Sequence, residues 1–124
     1  LYFQNITWSF SQDMISMLVD DGWSSPDTHD NFYSPISEIP AIYLFLLHER
    51  TFYEKAIVGY VGMSRNLLQR LSSHEVLAEI RCGDFWAMRW FKPTARPELR
   101  RTEKEYIAKF DPPWNIIGRQ RGIA

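Results

Sequence analysis

The apolar stretch AIYLFLL, residues 41–47, is followed after the polar excursion HERTFYEKA by a second apolar run, IVGYVG, at residues 57–62. Two runs rich in β-branched and aromatic residues, this close in the chain, predict antiparallel strands joined by a hairpin. No other feature restricts the fold as strongly. Upstream, Phe10, Met14, Met17 and Leu18 recur at a helical period within residues 9–22, and Gly22 is a plausible stop. Residues 23–40, with three prolines, read as an irregular connection. Downstream, the chain predicts a helix over RNLLQRLSSHEVLAEIR (65–81) with Ser64 as its cap and a strand over DFWAMRWF (84–91). A helix over ELRRTEKEYIAKF (98–110) and the terminator DPPWN (111–115) follow. The order after residue 40 is therefore β-β-α-β-α.

A chain of 124 residues with 45% hydrophobic content fits one domain with its own core. The opening LYFQ resembles the end of a protease-recognition tag, so Leu1 to Gln4 are set apart and the native chain is expected to begin near Asn5. AIYLFLL, the longest apolar run, is about a third of a membrane-spanning helix. One cysteine, Cys82, and no secretory signal lead to the expectation of a cytoplasmic protein. Residues 1–40 hold six acids and no Lys or Arg (−6), whereas residues 41–124 hold fourteen basic and nine acidic side chains (+5). This asymmetry suits an acidic extension, residues 5–40, ahead of a polyanion-binding domain, residues 41–124; it suits ordinary surface charge as well.

On the helix 98–110, Leu99, Tyr106, Ile107 and Phe110 form one apolar stripe, and Glu103 falls in its middle. A carboxylate there requires a cation, either an arginine or a metal ion. On the helix 65–81, Leu67, Leu71 and Ala78 form the core stripe, with Arg70 and His74 four residues apart beside it. They can line a cleft, or be a solvated arginine and a boundary histidine. Tyr43 and Tyr60, each in apolar strand company, fit cross-strand packing as well as chemistry. One cysteine with scattered His29, His48 and His74 offers no zinc site, and GYVG lacks the Lys and Ser/Thr of a phosphate-binding loop.

The order AIY, YVG, SRNLLQRLSSH and EKEYIAKFDPPWN resembles the GIY-YIG nuclease family across about residues 41–115. The spacings agree: Arg70 is ten after Tyr60, His74 four after Arg70, and Asn115 twelve after Glu103. Ala41 stands where the family name has glycine, and Val61 where it has isoleucine. The resemblance implies an α+β fold, a small antiparallel three-stranded sheet flanked by helices, preceded here by a helical extension. It implies a metal-dependent DNA endonuclease acting in repair, restriction, homing or phage DNA processing. Glu103 would be the metal ligand for Mg²⁺ or Mn²⁺, and Arg70 would stabilise the scissile phosphate. Tyr43 would orient or deprotonate the attacking water, Tyr60 hold the phosphate, His74 take the tyrosine proton, and Asn115 brace the site. Arg65 and Asn66 would contact DNA beside Arg70. The alternative is an inactive module that binds nucleic acid or protein on the same fold; a binder, however, has no use for a carboxylate that repels phosphate. Substrate specificity and oligomeric state stay open.

Overall fold

A computed structural model describes residues 8–28, 32–49, 54–81, 83 and 85–115. The elements are β1 (Ser9–Phe10), α1 (Ser11–Asp20), β2 (Ala41–Glu49), β3 (Lys55–Ser64), α2 (Leu67–Ser72), α3 (Glu75–Arg81) and β4 (Phe85–Pro93). A 3₁₀ turn at Arg96–Glu98 then leads into α4 (Leu99–Phe110). The tip of the expected hairpin, residues 50–53, lies outside the described residues, as do the expected tag, residues 1–4, and Cys82.

The four strands form one antiparallel sheet in the order β1-β3-β2-β4. The expected sheet of three strands is thus one strand short. The extra member comes from the N-terminal segment, whose Ser9 and Phe10 pair with Ala56 and Lys55. β2 is central and covered on both faces, which explains its unbroken apolar run. Ile42, Leu44 and Leu46 face a core shared with Leu18, Trp23, Trp90 and Leu99, under α1 and α4. Tyr43, Phe45 and Leu47 face the other core, under Leu67, Leu71, Leu77 and Ile80 of α2 and α3. Among the described residues, no helix is long and apolar enough to cross a membrane.

A β-bulge in β3 decides which face Tyr60 occupies. Phe45 pairs with Tyr60 but Leu46 pairs with Val58, so Gly59 is the extra residue. Ala56 and Val58 belong to the α1/α4 core, and strict alternation would send Tyr60 there too. The bulge reverses the phase and delivers Tyr60 to the α2/α3 face beside Tyr43.

The expected continuous helix 65–81 is broken in two. Ser73 adopts an extended conformation (φ −149°, ψ 77°), and the His74 ring accepts the Leu77 N–H at 3.3 Å, starting α3 afresh. Consecutive serines compete with the helix for backbone hydrogen bonds, and Ser72 Oγ donates to the Leu68 carbonyl. The break shifts the helical phase, so Val76, Leu77 and Ile80 are buried and Ala78 is exposed. Asn66, not Ser64, caps α2, its Oδ1 accepting the Gln69 N–H at 3.1 Å; Ser64 Oγ instead bonds the Asn66 backbone.

The acidic N-terminal segment is built into the fold. Asp27 accepts from Arg89 Nη2 at 2.6 Å, from its Nε at 2.9 Å and from its backbone N–H at 2.8 Å. Asp21 accepts from Lys92, Trp23 and Tyr106. Burial pushes both carboxyls up, but their hydrogen bonds outweigh it and hold each below its usual range. Ser24 exchanges both backbone hydrogen bonds with Phe91, covering part of the outer edge of β4.

Candidate functional site

Tyr43 projects from the centre of the sheet toward the turn between α2 and α3, where its hydroxyl lies 2.8 Å from His74 Nε2. Both side chains are almost inaccessible, at 1% and 4% exposure. Gly62, paired with Tyr43 across the strands, makes this position possible, since a Cβ there would sit 2.5 Å from the ring's Cζ and hydroxyl oxygen. The glycine of YVG is therefore required by close approach.

His74 stands edge-on to three rings, with centroids 5.4 Å from Tyr43, 5.0 Å from Phe45 and 5.2 Å from Tyr60. Burial in this socket, followed by the Arg70 charge, lowers its pKa to about 4, against a smaller opposing effect of Glu75. The ring is neutral at physiological pH. Because Nδ1 accepts the Leu77 N–H, the ring proton belongs on Nε2, and that tautomer gives its hydrogen bond to the Tyr43 oxygen. Accepting a proton from Tyr43 requires the other tautomer and the loss of the Leu77 bond.

Arg70, on α2, has its guanidinium end held by Glu75. Nη2 donates to Oε1 at 2.9 Å and Nη1 to Oε2 at 3.1 Å, and Nη1 also reaches the Ser73 carbonyl at 3.4 Å. The Glu75 bonds raise the Arg70 pKa against burial, and nearby Tyr43 adds to them. The same bonds hold Glu75 at about 2. The clamp leaves the Nε–H and the second Nη2 N–H for other partners, and a hydrogen bond joins the guanidinium to the Tyr43 hydroxyl. Glu75 escaped the sequence reading because a continuous helix puts residues five apart on different faces; the break at Ser73 brings them together.

Glu103 is half-buried on α4, as its place in the stripe predicts, and makes no hydrogen bond or salt bridge among the described residues. Burial raises its pKa, and the Arg100 charge opposes this only in part. Its own charge reaches the site. Burial is the main reason that both phenols are raised, with Glu103 pushing each further up and Arg70 opposing. The structure thus brings Tyr43, Tyr60, Arg70, His74 and Glu103 to one region from four elements and a turn.

Asn115 and Asn66 stand differently. The Asn115 side chain accepts the Val61 N–H and donates to the Val61 carbonyl, both at 2.8 Å. It imitates a neighbouring strand on the part of the β3 edge that β1 does not reach. Asn66 spends its side-chain oxygen on the α2 cap, while Arg65 is exposed beside it. Among the described residues, no group of three or more His, Cys, Asp or Glu side chains could hold a metal ion, which leaves Glu103 as a lone carboxylate. Comparison of the chain with protein-family models, curated proteins and solved structures returns no match.

Proposed function

We propose that this chain is a metal-dependent DNA endonuclease of the GIY-YIG kind, hydrolysing phosphodiester bonds. The observation that carries this reading is Glu103, a half-buried carboxylate with no hydrogen bond or salt bridge among the described residues, whose charge is felt by both candidate-site tyrosines. A hard cation such as Mg²⁺ or Mn²⁺ fits such a group, because it keeps several waters and takes its remaining ligands from substrate phosphate. When bound, it supplies Lewis-acid support for the departing oxygen. Arg70 binds the scissile phosphate through the guanidinium edge that Glu75 leaves open. Tyr43 stays a neutral phenol, its oxygen accepting the His74 Nε2–H, and its hydroxyl orients the attacking water. Tyr60 contacts the phosphate from the same face, and Asn115 braces the strand that bears it.

The test uses purified protein with Mg²⁺ or Mn²⁺ against duplex, single-stranded, flap and branched DNA. Cleavage of at least one substrate is expected, and its loss in Glu103→Gln. The variant should be as stable as wild type without metal, or slightly more so, since the lost carboxylate leaves no partner uncompensated. Wild-type cleavage by the variant would overturn the assignment, and DNA binding with no cleavage by wild type would favour the inactive binding module.

A further inference from the structure

We infer that the groove between Arg65 and the Arg96–Arg100 segment binds a second phosphate of the polynucleotide whose scissile phosphate lies at Arg70. This rests on the nuclease reading above.

The charges have been left over by the fold. Arg70, Arg89 and Arg101 are each held by a carboxylate. The side chains of Arg65, Arg96 and Arg100 make no hydrogen bond or salt bridge among the described residues. A single exposed arginine needs no partner beyond water. Three of them, from the β3–α2 junction and from the start of α4, converge on one groove floored by Leu99. No acid lines it, because the neighbouring Glu98 is turned to Arg101. The groove therefore concentrates positive charge that nothing within it neutralises.

Its position indicates what neutralises it. Ser64 and Arg65 also line the adjoining groove that contains Arg70, so the two form one path. Arg100 stands one helical turn before Glu103 and its charge acts on that carboxylate. An anion in the groove is thus next to the site, in a cleft that adjoins the one containing Arg70. A free phosphate or mononucleotide needs only one cationic pocket, whereas a continuous cationic path suits a ligand that repeats its negative charge. No aromatic ring lines the groove, so it offers no platform for base stacking. The contact is with the backbone and carries no sequence preference.

The test compares Arg96→Gln/Arg100→Gln with wild type and with a charge-matched control, Lys55→Gln/Lys109→Gln, whose lysines lie over Phe10 and over Tyr106 and Phe110. Both arginines are exposed, so the fold should hold, and melting temperature checks this. Binding of labelled single-stranded and duplex oligonucleotides is measured without metal across a salt series, alongside a mononucleotide. The arginine variant should bind oligonucleotides roughly 10- to 100-fold more weakly at low salt, with a duplex salt slope reduced by about two and all sequences affected alike. The control should lose much less. Equal losses in the two variants would overturn the inference. So would loss of mononucleotide binding with oligonucleotide binding intact, which would make the groove a free-anion site. A wild-type protein that binds no oligonucleotide would overturn both this inference and the nuclease reading. One that binds but never cuts, while the arginine variant binds weakly, would overturn cleavage alone and uphold the groove.

Discussion

His74 donates from Nε2 to the Tyr43 oxygen at 2.8 Å and accepts the Leu77 backbone N–H on Nδ1 at 3.3 Å. Both ring nitrogens are committed, and one neutral tautomer satisfies both bonds. A proton added to Nδ1 would face the Leu77 N–H, a donor against a donor.

The first prediction concerns pH. An unfolded histidine titrates near 6.5, whereas burial and Arg70 bring His74 to about 4 in the fold, so the unfolded chain takes the proton first as pH falls. The stability this confers is complete above about pH 6.5 and is lost as pH drops toward 4, by up to about 3 kcal/mol. Urea unfolding of wild type and His74→Gln at several pH values between 7 and 4.5 isolates the effect. Wild type should lose more stability than the variant over that range; parallel losses would refute the neutral, doubly bonded ring. For the same reason, the rate of a reaction at this site should show no His74 inflection near pH 6.5.

Glu75→Gln separates orientation from stability. The Arg70–Glu75 pair is largely exposed on the carboxylate side, so its removal should cost less than about 1 kcal/mol in unfolding free energy. The guanidinium nevertheless loses the charged clamp that fixes its plane, and a displacement of roughly 1 Å can cost about 10²-fold in rate. Cleavage should fall roughly 10- to 100-fold, mainly in kcat, while Arg70→Ala falls further. A normal kcat in Glu75→Gln would show that the clamp is incidental.

Gly62→Ala should be one of the most damaging single-methyl changes in the sheet. Its Cβ would meet the buried Tyr43 ring at 2.5 Å, and that ring is wedged among Phe45, Tyr60 and His74. Overpacking of this kind costs about 1–3 kcal/mol and would drive the hydroxyl away from His74. In Tyr43→Ala the same methyl meets no ring, so the two changes should be strongly non-additive. Additive losses in thermal unfolding would place the strain elsewhere.

Much of this fold was legible because its signals are local. The pairing of residues 41–47 with 57–62, the helix that carries Glu103 on its apolar stripe and the stop at Gly22 (φ 89°) all follow from period and turn chemistry. Three features were not legible, for a shared reason. The Ser73 break is hidden because the helical period of Leu67 and Leu71 continues in the sequence through Ala78. The Gly59 bulge is one residue within an apolar run, yet it decides the face on which Tyr60 sits. β1 is two residues long and exists only because the edge of β3 receives it. Each is a shift of phase or a borrowed edge, set by tertiary packing. Of the candidate site residues, the tyrosines, Arg70, His74 and Glu103 were named by the family resemblance; Glu75 was not, since only the break makes it a neighbour of Arg70.

The bridge from Ser24 to Phe91 has a consequence for life in a crowded solution. β4 closes one side of the sheet, and its outward backbone groups at Arg89 and Phe91 are taken by Ser24, Ser25 and Asp27. Stripped of that cover, the strand would offer a ready template to any extended chain, including another copy of itself. The acidic segment thus acts as a selvedge, the woven border that keeps a cloth from being knitted onto its neighbour.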